Sequence, residues 1–579
     1  MNKPCLSALA VLLLVAALPA PALAAAQARA SNPAEIVPAE APFYLTLDTR
    51  AGFAVKVERL LSRLAGQNVA GQGELALDQV VFSLLGDPAA TFADDVRPWL
   101  GDQIVITSPQ MPSVSALMMA ANSAFAPGFT PALIASVTDK SAARNFIARL
   151  LNRETLAEAT RSEVDYNGYS YTLVRPADSR NRQEGLNLGI IEDYLVIAYG
   201  VRSIEPIIGA ASGAPALADT PGFRRIFGEM DPDSFVRLYV GPSLPAGVVG
   251  DSFVWNLIVE GRQSIKAPLP GLDLSDPAAL QRQLLDVIET FHGVGLDFRM
   301  VENALVMDFI GGFDMAALDA VLGAPQPRLE RGVGEAIIAR FPADAIGVVG
   351  WNDLGANIEN WFSMASYDPA AQAELEQVLA DFETQTGLKL ADVLAWMRGS
   401  VAAGILLNAR GAQEPVSLAA VIEATDLDRA QQTLDALPGI AERQGEKIEV
   451  AEIDGVQVMT IAASAPDQPP VQIALMDNYV VLVIGEGMAR MIETARGGPN
   501  YTQNPEWARL MRIANADGPF LAALDIAGFG EYSEAMGMTP ADRAMLVTLK
   551  TLQSAAVIAP ASPGGGPARF SFILTLAGE

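Results

Sequence analysis

The 579-residue chain has a single cysteine, Cys5, and a single histidine, His292. Disulfides and thiolate ligands require cysteine, and zinc, copper and haem sites usually draw on cysteine or histidine. A catalytic triad would have to be built on His292 alone. These absences predict no metal centre, no cofactor and no triad, although a calcium or magnesium site made of oxygen ligands stays open.

Positive charge is also scarce. Lysine and arginine together number 39 against 67 aspartates and glutamates, which gives a formal net charge of −28. Such a chain repels nucleic acid unless a local basic patch reverses the field, and the sequence has no run of basic residues. We therefore expect no nucleic-acid partner.

The first 24 residues have the pattern of a secretory signal. Lys3 supplies the positive start, an apolar run follows, and Ala22-Leu23-Ala24 forms a small-residue cleavage site, with Ala26 as the alternative last residue of the signal. The apolar run is shorter than the roughly 20 residues that span a bilayer. We expect cleavage, a disordered segment at 25–35, a periplasmic or secreted address and no transmembrane span afterwards.

The remaining sequence repeats itself. Residues 37–48 recur at 341–353, 95–99 at 392–396, 163–174 at 452–461, and 188–200 at 473–485. Blocks that recur in the same order predict a tandem duplication. We place the first unit at 36–324, a linker rich in proline and glycine at 325–335, and the second unit at 336–579, with insertions in the first unit at about 110–130 and 244–277.

Each unit combines hairpin and helix patterns. Asn167-Gly168 and Asp454-Gly455 lie between alternating apolar runs, which is typical of a type I′ hairpin turn. Two sets of apolar residues at helical spacing predict a helix in each unit; the sets are Val57, Leu60, Leu61, Leu64 and Leu375, Val378, Leu379, Phe382. We predict an α+β fold, in which helices pack on a largely antiparallel sheet.

The opening of the first unit, VPAEAPFYLTLD at residues 37–48, resembles that of a bacterial exported family catalogued as domain of unknown function 3352. The resemblance implies an extracytoplasmic address and a similar fold over most of the chain. It implies no activity and transfers no catalytic residue.

Several short motifs resemble functional sites but have simpler explanations. His292 is expected at a turn or sheet edge, and Asp231-Pro232-Asp233-Ser234 lacks the glycine and distal glutamate of a calcium loop. Gly485-Glu486-Gly487 lacks the third glycine of a dinucleotide fingerprint, so a strand-to-helix turn is favoured. Glu192-Asp193 is expected at a hairpin tip.

The insertion at 110–130 is the chemically distinctive departure from the repeat, because it is apolar and uncharged. Its methionines and aromatic residues suit an adaptable binding surface, with extra core as the alternative. The candidate binding residues are Met111, Leu117, Met118, Met119, Phe125 and Phe129.

These patterns favour an exported, non-enzymatic binding or scaffold protein, partnered by an envelope protein or an apolar ligand. One alternative is a carrier of an apolar ligand in the bacterial envelope. A hydrolase that uses carboxylates is a more distant alternative.

Overall fold

The structure is a computed structural model. It describes residues 32–50, 89–111, 130–152, 156–175, 184–251, 255–256, 276–322, 333–365, 369–408, 416–444, 447–462, 468–514, 520–528, 552–559 and 567–576. The chain separates into two compact units, with the break in the described residues after Val321; Val301–Val306 group with the second unit.

The described part of the first unit has ten strands. They are β1 (Phe43–Asp48), β2 (Leu100–Thr107), β3 (Ala132–Val137), β4 (Thr160–Tyr166), β5 (Tyr169–Arg175), β6 (Leu186–Ile191), β7 (Tyr194–Tyr199), β8 (Val236–Val240), β9 (Phe291–Val301) and β10 (Ala304–Phe313). The helices are α1 (Phe92–Asp95), α2 (Lys140–Leu151), α3 (Glu205–Ala211), α4 (Pro221–Phe227), α5 (Ser243–Gly250), α6 (Pro277–Glu289) and α7 (Met315–Leu322).

The second unit also has ten described strands. They are β11 (Gly347–Asn352), β12 (Ser400–Leu407), β13 (Val416–Glu423), β14 (Ile448–Ile453), β15 (Val456–Ile461), β16 (Val471–Met476), β17 (Tyr479–Ile484), β18 (Phe520–Asp525), β19 (Leu552–Ile558) and β20 (Ala568–Leu576). The helices are α8 (Glu335–Ile338), α9 (Leu354–Ala365), α10 (Pro369–Thr386), α11 (Leu390–Trp396), α12 (Leu427–Gln444), α13 (Met488–Ala495) and α14 (Pro505–Ala514).

The strands of the two units pair in the same order. Pairing runs β4-β5-β6-β7-β3-β2-β1-β8-β9-β10 in the first unit. It runs β14-β15-β16-β17-β13-β12-β11-β18-β19-β20 in the second. The pairings from β4 to β9 in the first unit and from β14 to β20 in the second are antiparallel, so the α+β class with a largely antiparallel sheet is confirmed.

Matching backbone details accompany the shared order. Asn167 and Asp454, at the two predicted hairpin turns, both have φ of 47° and are followed by glycines with positive φ. The hydroxyls of Thr138 and Thr425 each donate to the carbonyl of a tryptophan, at 3.1 Å. The hairpin turns at Asn167 and Asp454 tolerate a left-handed backbone because asparagine, aspartate and glycine adopt it at low cost.

Helices pack on both faces of each sheet. In the first unit Tyr44, Phe223 and Tyr239 lie in the core on the side of α3 and α4, whereas Trp99 and Phe146 lie in the core on the side of α2. The second unit repeats this arrangement. A large cluster includes residues of α13 and α14, and a smaller one, which includes Trp396 and Leu434, lies under α12.

The structure bears on several sequence predictions. The apolar set at Leu375 to Phe382 lies on a helix, α10, as predicted. The set at Val57 to Leu64 lies outside the described residues. The signal at 1–24 and most of the segment at 25–35 also lie outside them. The predicted linker at 325–335 is described only from residue 333. Glu192 is at a hairpin tip with φ of 50°, as predicted.

Candidate functional site

On one face of the second unit's sheet, α12 packs over β13, β16 and β17. Beyond that cover lies an open concavity of about 460 Å³. Its described lining residues are all glycine or apolar, and they come from β11, β12, β13, β17, β18, β19 and β20.

The strand registers arrange these side chains in two rows that cross the strands. Neighbouring pairs define the first row as Ile484, Leu418, Ile405, Gly347, Leu524 and Ala555. They define the second row as Leu482, Ala420, Ala403, Val349, Ala522, Val557 and Phe572. Because the two rows are two residues apart along each strand, both face the same side of the sheet.

The second row is low on both sides of Val349, which stands between Ala403 and Ala522. Three of its members, Ala403, Ala420 and Ala522, are alanines, and larger side chains of the first row flank them. We call this depression, with its alanine floor and its wall of Leu418, Ile405 and Leu524, the trough. The strand registers create the trough, because they bring together three alanines that are far apart in the sequence.

Large apolar side chains along the trough are exposed. Leu418 is 50% exposed, Val349 43% and Leu524 38%, and Phe572 at the end of the second row is 37% exposed. An antiparallel sheet that turns one face to water normally places polar residues there. A contiguous exposed apolar surface of this kind is typical of binding sites.

The corresponding row of the first unit is filled. There the successive cross-strand partners are Ile197, Leu133, Ile106, Leu45, Leu238 and Leu296. Leu133, Ile106 and Leu238 therefore stand where the second unit has Ala420, Ala403 and Ala522. Three large side chains of the first unit are thus alanines in the floor of the trough.

The chemistry available at the trough is limited. The backbone groups below it are hydrogen-bonded between strands, and the described lining side chains offer neither a charge nor a hydrogen-bonding group. It can bind an apolar group through the hydrophobic effect and dispersion. Its described lining residues include no group for acid, base or nucleophilic catalysis.

A second unusual cluster lies in the first unit and consists of buried charge. Asp297 on β9 and Asp308 on β10 are both fully buried. Burial is the main cause that raises the pKa of Asp297 to about 6, while the hydroxyl of Ser234 donates to its Oδ1 at 2.8 Å and acts in the opposite direction.

His292 lies within β9 and not in a turn. Its Nε2 is 2.8 Å from a guanidinium nitrogen of Arg225. Burial first, and then the Arg225 charge, lower the pKa of His292, so the imidazole is neutral and accepts this hydrogen bond.

The predicted binding residues of the insertion fall mainly outside the described part of the chain. This holds for Leu117, Met118, Met119, Phe125 and Phe129. Met111 is described and half-buried, and its side chain contacts Gly247 on α5. The role of the insertion stays a prediction.

Within the described residues, no group of three or more histidine, cysteine, aspartate or glutamate side chains is arranged to hold a metal ion. The described helices also include none with the length and apolar content needed to cross a bilayer.

The model of the family described as protein of unknown function (DUF3352) matches residues 5–528. The chain belongs to this family. Curated proteins gave no match.

Among solved structures, the chain is similar to crystal form I of TP0453, with 11% identity and a TM-score of 0.23; the match covers 51% of this chain and 87% of that one. Crystal form IV of TP0453 matches with 13% identity and the same TM-score, and covers 51% and 86%.

Proposed function

We propose that the protein is an exported, non-enzymatic binding protein whose second unit holds an apolar ligand in the trough. The observation that carries this proposal is the open, wholly apolar concavity in the described part of the second sheet, where a solvated face would ordinarily be polar. Its volume of about 460 Å³ lies within the range of roughly 300 to 1,000 Å³ that is typical of small-molecule sites.

The shape of the trough favours a linear hydrocarbon chain. At the ~30 Å³ that a small molecule such as water occupies in the liquid, the cavity has room for about fifteen non-hydrogen atoms. The second row crosses successive strands from β17 to β19, a span of about 24 Å at the usual strand spacing. An acyl chain of about fifteen carbons, laid across the strands, would fill this volume and lie within this span.

The polar end of such a ligand would stay in water. The described lining offers no partner for a carboxylate, a phosphate or an amine, and burying such a group without a partner costs several kcal/mol. Binding should therefore depend on the length of the hydrocarbon and very little on the charge of its head.

We further infer that the two units arose by tandem duplication and that their sheets then diverged. The identical strand order and the matched turns support a common origin. The filled row of the first unit and the alanines of the second support a division of roles, in which the second sheet opened a ligand site. The signal at 1–24 would place this site outside the cytoplasm.

The test is equilibrium binding of purified protein to a series of alkyl ligands, measured by displacement of a fluorescent acyl probe. We expect each added methylene to contribute about 0.8 kcal/mol until the trough is full, at roughly fifteen carbons. Carboxylates and alcohols of the same length should bind within a few-fold of each other. Affinity independent of chain length would contradict the proposal.

A further inference from the structure

Asp297 is hydrogen-bonded to the turn that precedes β8. Besides the Ser234 hydroxyl, the backbone N–H of Asp231 donates to Asp297 Oδ2 at 3.3 Å. Arg299, two residues along β9, forms ion pairs with Asp231 and, at 3.3 Å, with Asp308. The cluster thus joins the 231–234 turn to β9 and β10.

The charges around Asp297 come from each of these elements. Asp231 from the turn and Asp308 from β10 are negative, whereas Arg299 from β9 and Arg237 from β8 are positive; Arg237 lies directly opposite Asp297 in the strand register. Further out, Asp48 and Arg50 also act on Arg237, with opposite signs. When Asp297 is ionised the inner cluster carries one excess negative charge, and when Asp297 is protonated the cluster is neutral.

In its described residues the second unit has no acidic side chain at the position of Asp297. The buried residues of β9 are Gly293, Gly295 and Asp297, and the buried positions of β19 in the same alternation are Ser554, Ala556 and Ile558. Ile558 therefore stands where Asp297 does. A buried acid is costly in this fold, and the second unit shows that the fold does not require it.

We propose that this cluster is a proton-operated switch, in which Asp297 takes up a proton in mildly acidic surroundings and stabilises the attachment of the 231–234 turn and β8 to β9. The inference is independent of the trough. It assigns to the first unit a sensing role that neither the sequence motifs nor the family membership indicates.

The direction of the effect follows from linkage. The pKa of Asp297 is raised from its ordinary value near 3.8 to about 6, so the folded unit binds this proton more tightly than the unfolded chain does. Stability therefore falls as the pH rises from about 4 to 6 and changes little above that range. Between about pH 5 and pH 7.5 the loss corresponds to a roughly tenfold larger opening constant.

Hydrogen exchange followed by mass spectrometry tests this locally in the full chain. After correction for the intrinsic exchange rate, peptides covering β8 and β9 should be roughly tenfold better protected at about pH 5 than at about pH 7.5. Peptides of β18 and β19 in the second unit are the internal control. Asp297→Asn should abolish the excess pH dependence, whereas Asp233→Asn, which removes an exposed charge from the same turn, should preserve it.

Two further variants distinguish a proton switch from a merely structural cluster. Asp308→Asn removes the neighbouring negative charge and should shift the midpoint of the pH dependence downward. Ser234→Ala removes a donor to the ionised carboxylate and should shift it upward. An unchanged pH dependence in Asp297→Asn, or shifts in the same direction in both variants, would overturn the proposal.

Discussion

Filling the trough with the first unit's own side chains is the sharpest available perturbation of the proposed site. The triple variant Ala403→Ile, Ala420→Leu and Ala522→Leu places in the second sheet the residues found at the equivalent positions of the first. Because the shared fold accommodates those side chains in one unit, we expect the variant to fold, with thermal stability equal to or above that of the parent.

The expected loss of affinity can be worked out from the volume. The three substitutions add about nine carbon atoms to a cavity with room for about fifteen. At about 0.8 kcal/mol per buried methylene, the lost contact is worth up to about 7 kcal/mol. Even if contacts with the neighbouring surface restore half of this binding free energy, the Kd of the ligand should rise by at least about a hundredfold.

The assay is displacement of a fluorescent acyl probe from the triple variant and the parent, with circular dichroism and thermal melting as checks on folding. The reverse exchange in the first unit, Leu133→Ala with Ile106→Ala and Leu238→Ala, shows whether the row alone creates a site. A folded triple variant that binds the probe as tightly as the parent would refute the reasoning, since a filled trough has no room for the ligand.

Two further predictions concern single residues. Leu418→Asp places a charge on the wall of the trough. It should weaken probe binding by at least about tenfold, because the ionised group must be desolvated when the probe binds. The control Val450→Asp, at an apolar residue that is 58% exposed on β14, should leave probe binding unchanged. Gly485→Ala should lower the free energy of unfolding of the second unit by about 1 to 3 kcal/mol, since φ is +114° and a Cβ would lie 2.5 Å from Ser417 Oγ. Gly497→Ala, which has positive φ but no atom within 4 Å of the added Cβ, should cost less in the same urea titration.

Local sequence signals were sufficient to predict the turns and the fold class. Asn167-Gly168 and Asp454-Gly455 form the expected left-handed turns, because this preference belongs to the residues themselves. The strand-to-helix turn at 485–487 follows from the same reasoning, and it separates β17 from α13 as expected.

The trough could not be predicted in the same way. Ala403, Ala420 and Ala522 become neighbours only through the registers of β11, β12, β13 and β18, and a register is set by the whole sheet. A partial signal was present, since β12, β13 and β17 are apolar on both faces whereas strands of an antiparallel sheet usually alternate. The binding prediction fell on the insertion at 110–130 because its apolar, uncharged composition can be read directly from one stretch of sequence.

The buried cluster left a clearer trace in the sequence. Asp308 interrupts an apolar strand between Val306 and Ile310, and Asp297 follows the buried Gly293 and Gly295 in the same alternation, which places both carboxylates on the core side. What the sequence did not provide was Arg299 as the shared partner of Asp231 and Asp308, because that contact depends on how three chain segments meet.

Photocrosslinking tests the central claim most directly. An acyl chain with a diazirine near its middle is bound to the full-length protein and irradiated, and the labelled peptides are identified by mass spectrometry. The account predicts labels on β12, β13 and β18, at or beside Ala403, Ala420 and Ala522, with labelling lost in the triple variant. Labels confined to the first unit, or undiminished in the filled variant, would contradict the claim that the trough binds the ligand.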